Sequence, residues 1–394
     1  MELIIEGISS EGHGVARYDG LVVFVEGALP GDVVAAEIVK SKKAFANARI
    51  VEIIKASPHR INPPCAAAVN CGGCQLQHCD YSAQLDFKRQ AVIDALERIG
   101  GIKNPPVAEV IGMENPWHYR NKGRFFAKNG SIGMYERNSR KLVKTPNCLI
   151  AHQNIIDAVA ALQGNIQDGE IMVRTSFSKD EIIITHNGKL ISSTSKIRET
   201  IGDIAYRLSA KSFFQVNPAQ TEVLCNIALK QAKLDGTQTI IDAHVGCGGV
   251  LLQAAKSAKT AIGIDIEPAA ISDAKFNTKL NNIDNTEFIC GLAESVIPEL
   301  LAKNNKPDTI FLDPPRKGCG APLLEAIAAN KIPRIIYISC DPATLARDIK
   351  SLTATGYTLE AAQPIDMFPM TSRIEICCSL VAHPLAHKRF FNHG

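Results

Sequence analysis

Ile335-Ile336-Tyr337-Ile338-Ser339-Cys340-Asp341-Pro342-Ala343-Thr344-Leu345 decides the fold. The apolar, mostly β-branched run predicts a buried parallel strand; Ser-Cys-Asp-Pro predicts a loop, and Pro342 starts a helix reaching Leu352. Open α/β sheets carry their chemistry on loops at this edge, which makes Cys340 a candidate nucleophile. A lone cysteine is more often a small buried hydrophobe, so the neighbouring segments have to decide.

Residues 211–394 alternate predicted strands and helices, the pattern of a parallel sheet. A helix over Asn226 to Leu234 precedes a strand, Thr239 to Ala243, and then the loop His244-Val245-Gly246-Cys247-Gly248-Gly249-Val250. Glycines there let the backbone approach a ligand. A dinucleotide fingerprint would need glycine three positions after Gly248, where Leu251 stands, so that reading fails. The next strand, Thr260 to Ile264, ends in Asp265, placed to accept hydrogen bonds from ribose hydroxyls. A glycine-rich first loop followed by an acid after the second strand is a usual layout for S-adenosylmethionine. The strand Thr309 to Leu312 leads into Asp313-Pro314-Pro315-Arg316-Lys317-Gly318, a loop stiffened by its prolines. Amino-group methyltransferases have an aromatic residue where Arg316 stands. Farther on, Glu375 interrupts an apolar strand, Arg373 to Leu380, where a carboxylate is costly unless paired or functional.

Residues 1–56 hold five short alternating runs: Leu3–Ile5, Gly14–Arg17, Leu21–Val25, Val33–Ile38 and Ala48–Ile53. Turn signals such as Asp19-Gly20 separate them, predicting a small closed β-barrel. Residues 57–210 open on prolines and then carry Cys65, Cys71 and Cys74, with Cys79 close behind and Cys148 distant. Three converging thiolates need a fourth, either Cys79 or Cys148. The single close Cys-x2-Cys pair favours an iron-sulfur cluster over structural zinc. A helix over 83–99 follows. Trp117 to Lys144 then interleaves basic residues (among them Arg120, Lys122, Arg124 and Arg137) with Trp117, Tyr119, Phe125, Phe126 and Tyr135. That composition suits either single-stranded nucleic acid or a solvated sheet over an aromatic core. Residues 171–195 read as further antiparallel strands turning at Asn187-Gly188.

The totals agree. A chain of 394 residues exceeds one ordinary domain, and its net charge of +3 is too small to establish a nucleic-acid partner. No apolar run reaches about 18 residues, the length a membrane span needs. The N-terminus lacks the pattern of a signal peptide, so a cytoplasmic location is expected, with the 12 cysteines reduced.

Gly7 to Val25 resembles the TRAM domain, an RNA-binding barrel. Ser212 to Asn217, Asp242 to Gly249, Asp313 to Gly318, Ser339 to Asp348 and Met367 to Glu375 occur in the order found in the RNA uracil-5-methyltransferase family, and the chain resembles its 23S ribosomal RNA branch. The resemblance implies a multidomain α/β protein: a TRAM-like, OB-like barrel (1–56), a central β-rich iron-sulfur domain (57–210) and a Rossmann-like methyltransferase domain (211–394). It implies methylation of uridine C5 in RNA, expected to be 23S ribosomal RNA, by a monomer. Cys340 would add to C6 and Glu375 would remove the C5 proton. Gln215, His244, Gly246, Gly248, Asp265 and Asp313 would serve S-adenosylmethionine, with Asp313 alternatively contacting the base. Cys65, Cys71, Cys74 and Cys148 would hold a [4Fe-4S] cluster. Cytosine-C5 methylation and a non-catalytic, cluster-bearing RNA-binding protein are the alternatives. The chain departs from the family pattern at His244, Val245, Gly249, Asp341, Met370 and Arg373. The charge of Asp341 beside the thiol is expected to raise its pKa.

Overall fold

The computed structural model describes residues 1–303 and 306–383. Near the N-terminus there are six strands rather than five: Glu2–Ile4, Gly7–Ile8, Gly14–Tyr18, Leu21–Glu26, Val33–Ser41 and Phe45–Lys55. The extra strand arises because the first run kinks at Ile5-Glu6 and continues. Before the kink it pairs with Val33–Ser41, and after it with Gly14–Tyr18. At the kink, the Ile5 and Glu6 amides donate to Asp32 O (2.9 Å) and Val15 O (2.8 Å). One bent strand thereby joins both edges of the sheet and closes the expected barrel around Leu3, Ile5, Val23, Val25 and Val34.

The central part is a six-stranded antiparallel sheet formed by Lys122–Lys128, Ser131–Tyr135, Leu142–Lys144, Gly169–Thr175, Ile182–His186 and Lys189–Leu190. Asn187 and Gly188 turn it with φ of 48° and 76°, as their sequence requires. A hairpin, Lys196–Ile201 with Ile204–Ser209, leads on to the C-terminal part. The helix expected over 83–99 spans Tyr81–Arg98, starting earlier because the Asp80 side chain accepts from the Ala83 amide at 2.9 Å. Its Val92 and Leu96 enter the core of the C-terminal sheet.

That sheet has seven strands: β1 (Thr239–Asp242), β2 (Thr260–Asp265), β3 (Thr286–Cys290), β4 (Thr309–Leu312), β5 (Arg334–Ser339), β6 (Tyr357–Ile365) and β7 (Glu375–Ala382). Their order is 3-2-1-4-5-7-6, and β7 runs antiparallel to both neighbours. Helices cover both faces, which is why the central strands are apolar on both sides. The helix expected over Asn226 to Leu234 spans Pro218–Ala232, capped by Asn217 with proline in its first turn. No helix among the described residues is long and apolar enough to cross a membrane.

Candidate active site

The antiparallel placement of β7 assembles the site. Ser339 pairs with Ile376 across β5 and β7, so Cys340 and Glu375, one residue outward on each strand, meet at the same sheet edge. Cys340 is half-buried. Burial pushes its thiol up to about 11, the negative charges of Glu375 and Asp313 add to this, and the positive charge of Arg316 opposes it. Glu375 is 2% exposed, and burial with the neighbouring Asp313 holds its carboxyl well above the usual range. The charge of Arg316, on the loop after β4, favours the thiolate, a role whose only signal in the sequence is its place after Asp313-Pro-Pro.

Asp341 acts differently from expectation. Its carboxylate caps the helix Pro342–Thr353, accepting from the amides of Ala343 (3.1 Å) and Thr344 (3.0 Å). The largest contributions to the rise at Cys340 are burial, then Glu375, with Asp313 adding to them.

A cleft of about 570 Å3 opens over the C-terminal ends of β1 and β4. Gln215, His244, Gly246 and Asp313 line it with Asp242 and Phe213, whose ring is 62% exposed. Such a volume, mainly apolar with a few polar groups, suits a nucleoside-sized ligand. Burial pushes both Asp242 and Asp313 up to about 7. Burial also lowers His244 to about 4, leaving a neutral ring whose Nδ1 accepts from the Asp313 amide at 3.4 Å. A Cβ at Gly249 would meet nothing within 4 Å, so glycine is not sterically required there. Gly248 and Asp265 stand behind this surface. Gly248, at φ 99°, turns the chain into a helix, and a Cβ there would come within 2.8 Å of Leu252. The Asp265 carboxylate accepts from the amides of Gly246 and Glu267, both at 2.8 Å, and so fixes the glycine loop.

The cysteine lobe gathers Cys65, Cys71, Cys74 and Cys148 closely enough for their charges to act on one another. Cys79 lies apart, packed with Leu29 and Ala83. Among the described residues, no three His, Cys, Asp or Glu side chains are placed to hold a single metal ion. A [4Fe-4S] cluster binds each thiolate to a different iron, so its ligands are spread more widely. One feature suits such a group: the Gly73 amide donates to Cys71 Sγ at 3.4 Å, which favours the thiolate a cluster needs.

The aromatic stretch divides. Tyr119 and Phe125 are core residues, as the plain sheet reading has it. Phe126 and Tyr135 stack on each other at 3.8 Å in a groove lined by Arg124, Arg137 and Arg373.

The strand order, the glycine loop and the cleft over β1 and β4 define an S-adenosylmethionine-dependent methyltransferase. Residues 148–383 match the family described as tRNA (Uracil-5-)-methyltransferase, and residues 1–51 match the TRAM domain. The chain is 38% identical to an uncharacterized RNA methyltransferase of Halalkalibacterium halodurans, covering 95% of each. It is 35% identical to one from Clostridium acetobutylicum, again covering 95% of each. The fold superimposes on the crystal structure of Pyrococcus abyssi tRNA (uracil-54, C5)-methyltransferase in complex with S-adenosyl-L-homocysteine. The TM-score is 0.76 at 23% identity, covering 97% of this chain and 100% of the other. The chain belongs to the RNA uracil-5-methyltransferase family and is an RNA methyltransferase carrying a TRAM domain.

Proposed function

We propose that the protein methylates C5 of a uridine in 23S ribosomal RNA through a covalent adduct. The observation that carries this reading is the convergence of Cys340 and Glu375 at one sheet edge beside the cofactor cleft. Uracil C5 is a weak nucleophile. Cys340 releases its thiol proton to solvent and the thiolate adds to C6; the C5–C6 π pair moves toward the C4 carbonyl, which makes C5 enolate-like. S-adenosylmethionine, bound by Gln215, His244, Gly246, Gly248, Asp265 and Asp313, supplies the electrophilic methyl group. Glu375, in its ionised form, then takes the C5 proton; the C–H pair forms the C5–C6 double bond, and the C6–S pair returns to Cys340. Arg316 favours the thiolate throughout. The base has to leave its stack to reach the thiol, and the groove with Phe126 and Tyr135 suits the flanking single strand.

In this reading residues 1–56 form an RNA-binding barrel, 57–210 a cluster-bearing domain and 211–394 the catalytic domain of a cytoplasmic monomer. Cys65, Cys71, Cys74 and Cys148 hold a [4Fe-4S] cluster. Anaerobic purification followed by iron analysis tests the set: Cys79→Ala should retain iron and Cys148→Ala should lose it, and zinc alone would overturn the assignment.

RNA containing 5-fluorouridine should trap the protein through Cys340, because fluorine cannot leave as a proton does. An adduct that persists in Cys340→Ala would defeat the mechanism. Nucleoside mass spectrometry separates uridine from cytidine as the target, and maps of 23S methylation with and without the gene test the choice of RNA.

A further inference from the structure

The loop that delivers Glu375 is held from outside the catalytic sheet. At its start, Asp366 accepts from Lys88 Nζ (2.6 Å) and Tyr81 Oη (2.9 Å). Three successive carbonyls then take bonds from residues earlier in the chain: Phe368 O from Lys88 Nζ (3.2 Å), Pro369 O from Tyr119 Oη (3.0 Å) and Met370 O from the Gln75 and Leu76 amides (3.1 and 3.0 Å). Gln75 and Leu76 directly follow Cys74. The Met370 amide donates to Gln84 Oε1 at 3.2 Å.

Met370 is unusual in two further respects. Its φ is +66°, a region that side-chain-bearing residues rarely occupy and β-branched ones least of all. Its side chain is buried against Cys74, Tyr119 and Ile150, beside Cys148. Five residues later the chain reaches Glu375. None of the residues lining the cofactor cleft comes from this loop or from the cysteine lobe.

We propose that Met370 is a positioning residue through which the four-cysteine lobe sets the place of Glu375, so that damage to the lobe stalls the protein after methyl transfer, at release of the product from Cys340. This rests on the covalent reading above. Release requires the Glu375 carboxylate to accept the C5 proton while the C6–S pair returns to sulfur. A displaced carboxylate leaves the methylated base attached, while addition of the thiol and occupation of the cleft proceed.

The test uses uridine RNA, methyl-labelled S-adenosylmethionine and denaturing gels that count labelled protein–RNA adduct. Met370→Val cannot hold the backbone at φ +66° and should slow release by about 10- to 100-fold, the cost of roughly 1 Å of misplacement, so that labelled adduct accumulates. Met370→Gly keeps the backbone and loses the packing, and should release product within about twofold of the natural protein. Cys74→Ser should accumulate adduct as Met370→Val does, with cofactor affinity by calorimetry changed by less than about threefold. Greater accumulation in Met370→Gly than in Met370→Val would show that packing, not backbone placement, is what matters, and would overturn the proposal. So would free release by a folded, cofactor-binding Met370→Val. If Met370→Val does not fold, Gln84→Leu removes the acceptor of the Met370 amide and is read in the same way. Failure of the natural protein to be trapped by 5-fluorouridine RNA removes the covalent reading itself. Trapping without accumulation in the variants removes only the role of Met370.

Discussion

Lys88 and Asp366 form an ion pair at 2.6 Å, with side chains 2% and 0% exposed, between the helix Tyr81–Arg98 and the loop that precedes β7. Burial lowers the Lys88 pKa, and the charge of Asp366 opposes that shift. Removing one partner strands the other charge away from water. Lys88→Met should therefore cost about 3–5 kcal/mol, and Lys88→Met with Asp366→Leu should recover much of it. Denaturant unfolding of the three proteins checks this, and a double variant no more stable than the single one would refute it.

Cys340 is mostly protonated in the free protein at neutral pH, because burial pushes its thiol up to about 11. Thiolate is the reactive form, so alkylation by iodoacetamide at this residue should speed up about tenfold per pH unit between pH 7 and 9. Arg316→Met should slow the reaction at each pH, since Arg316 opposes the rise. Peptide mapping distinguishes Cys340 from the other thiols; a rate already level at pH 7 would contradict the assignment.

Asp242 and Asp313 line the cleft with carboxyls held up at about 7, in each case chiefly by burial. The two carboxyls titrate together around neutral pH, so the cleft gains negative charge as pH rises from 6 to 8, and negative charge attracts a cation. S-adenosylmethionine carries a sulfonium charge that S-adenosylhomocysteine lacks. The affinity ratio of the first to the second should therefore grow by roughly three- to tenfold from pH 6 to pH 8 in calorimetric titrations. A constant ratio would mean that neither carboxylate faces the sulfonium.

The capping role of Asp341 sets a further expectation. Asparagine accepts the same amide bonds, so Asp341→Asn should leave stability within a few tenths of a kcal/mol, whereas Asp341→Ala should lose about 1 kcal/mol. Equal losses would show that the charge, not the cap, is what matters.

What could be read from the sequence were the features written locally. Glycines, prolines and apolar runs marked the strand ends at Asp242, Asp265, Asp313 and Ser339. What could not be read depended on pairing between distant segments. The kink at Ile5-Glu6 becomes a barrel closure only when both neighbouring strands are in place. Phe125 and Phe126 are adjacent and equally aromatic, yet strand alternation buries one and leaves the other in a groove. The Asp341 side chain could not be assigned to the helix rather than the thiol without its orientation. Met370 gives no local signal, because its partners lie almost 300 positions earlier.

Strand β7 follows β6 in the chain but lies inside it, between β5 and β6. The sheet therefore cannot grow by adding each new strand to its edge as the polypeptide is made. The strands β6 and β7 pair with each other from Ile365 and Glu375 outward across a short loop, so they are a local hairpin that docks on β5 through β7. Until that hairpin docks, Glu375 is not opposite Cys340, and the two halves of the site belong to separate pieces of sheet.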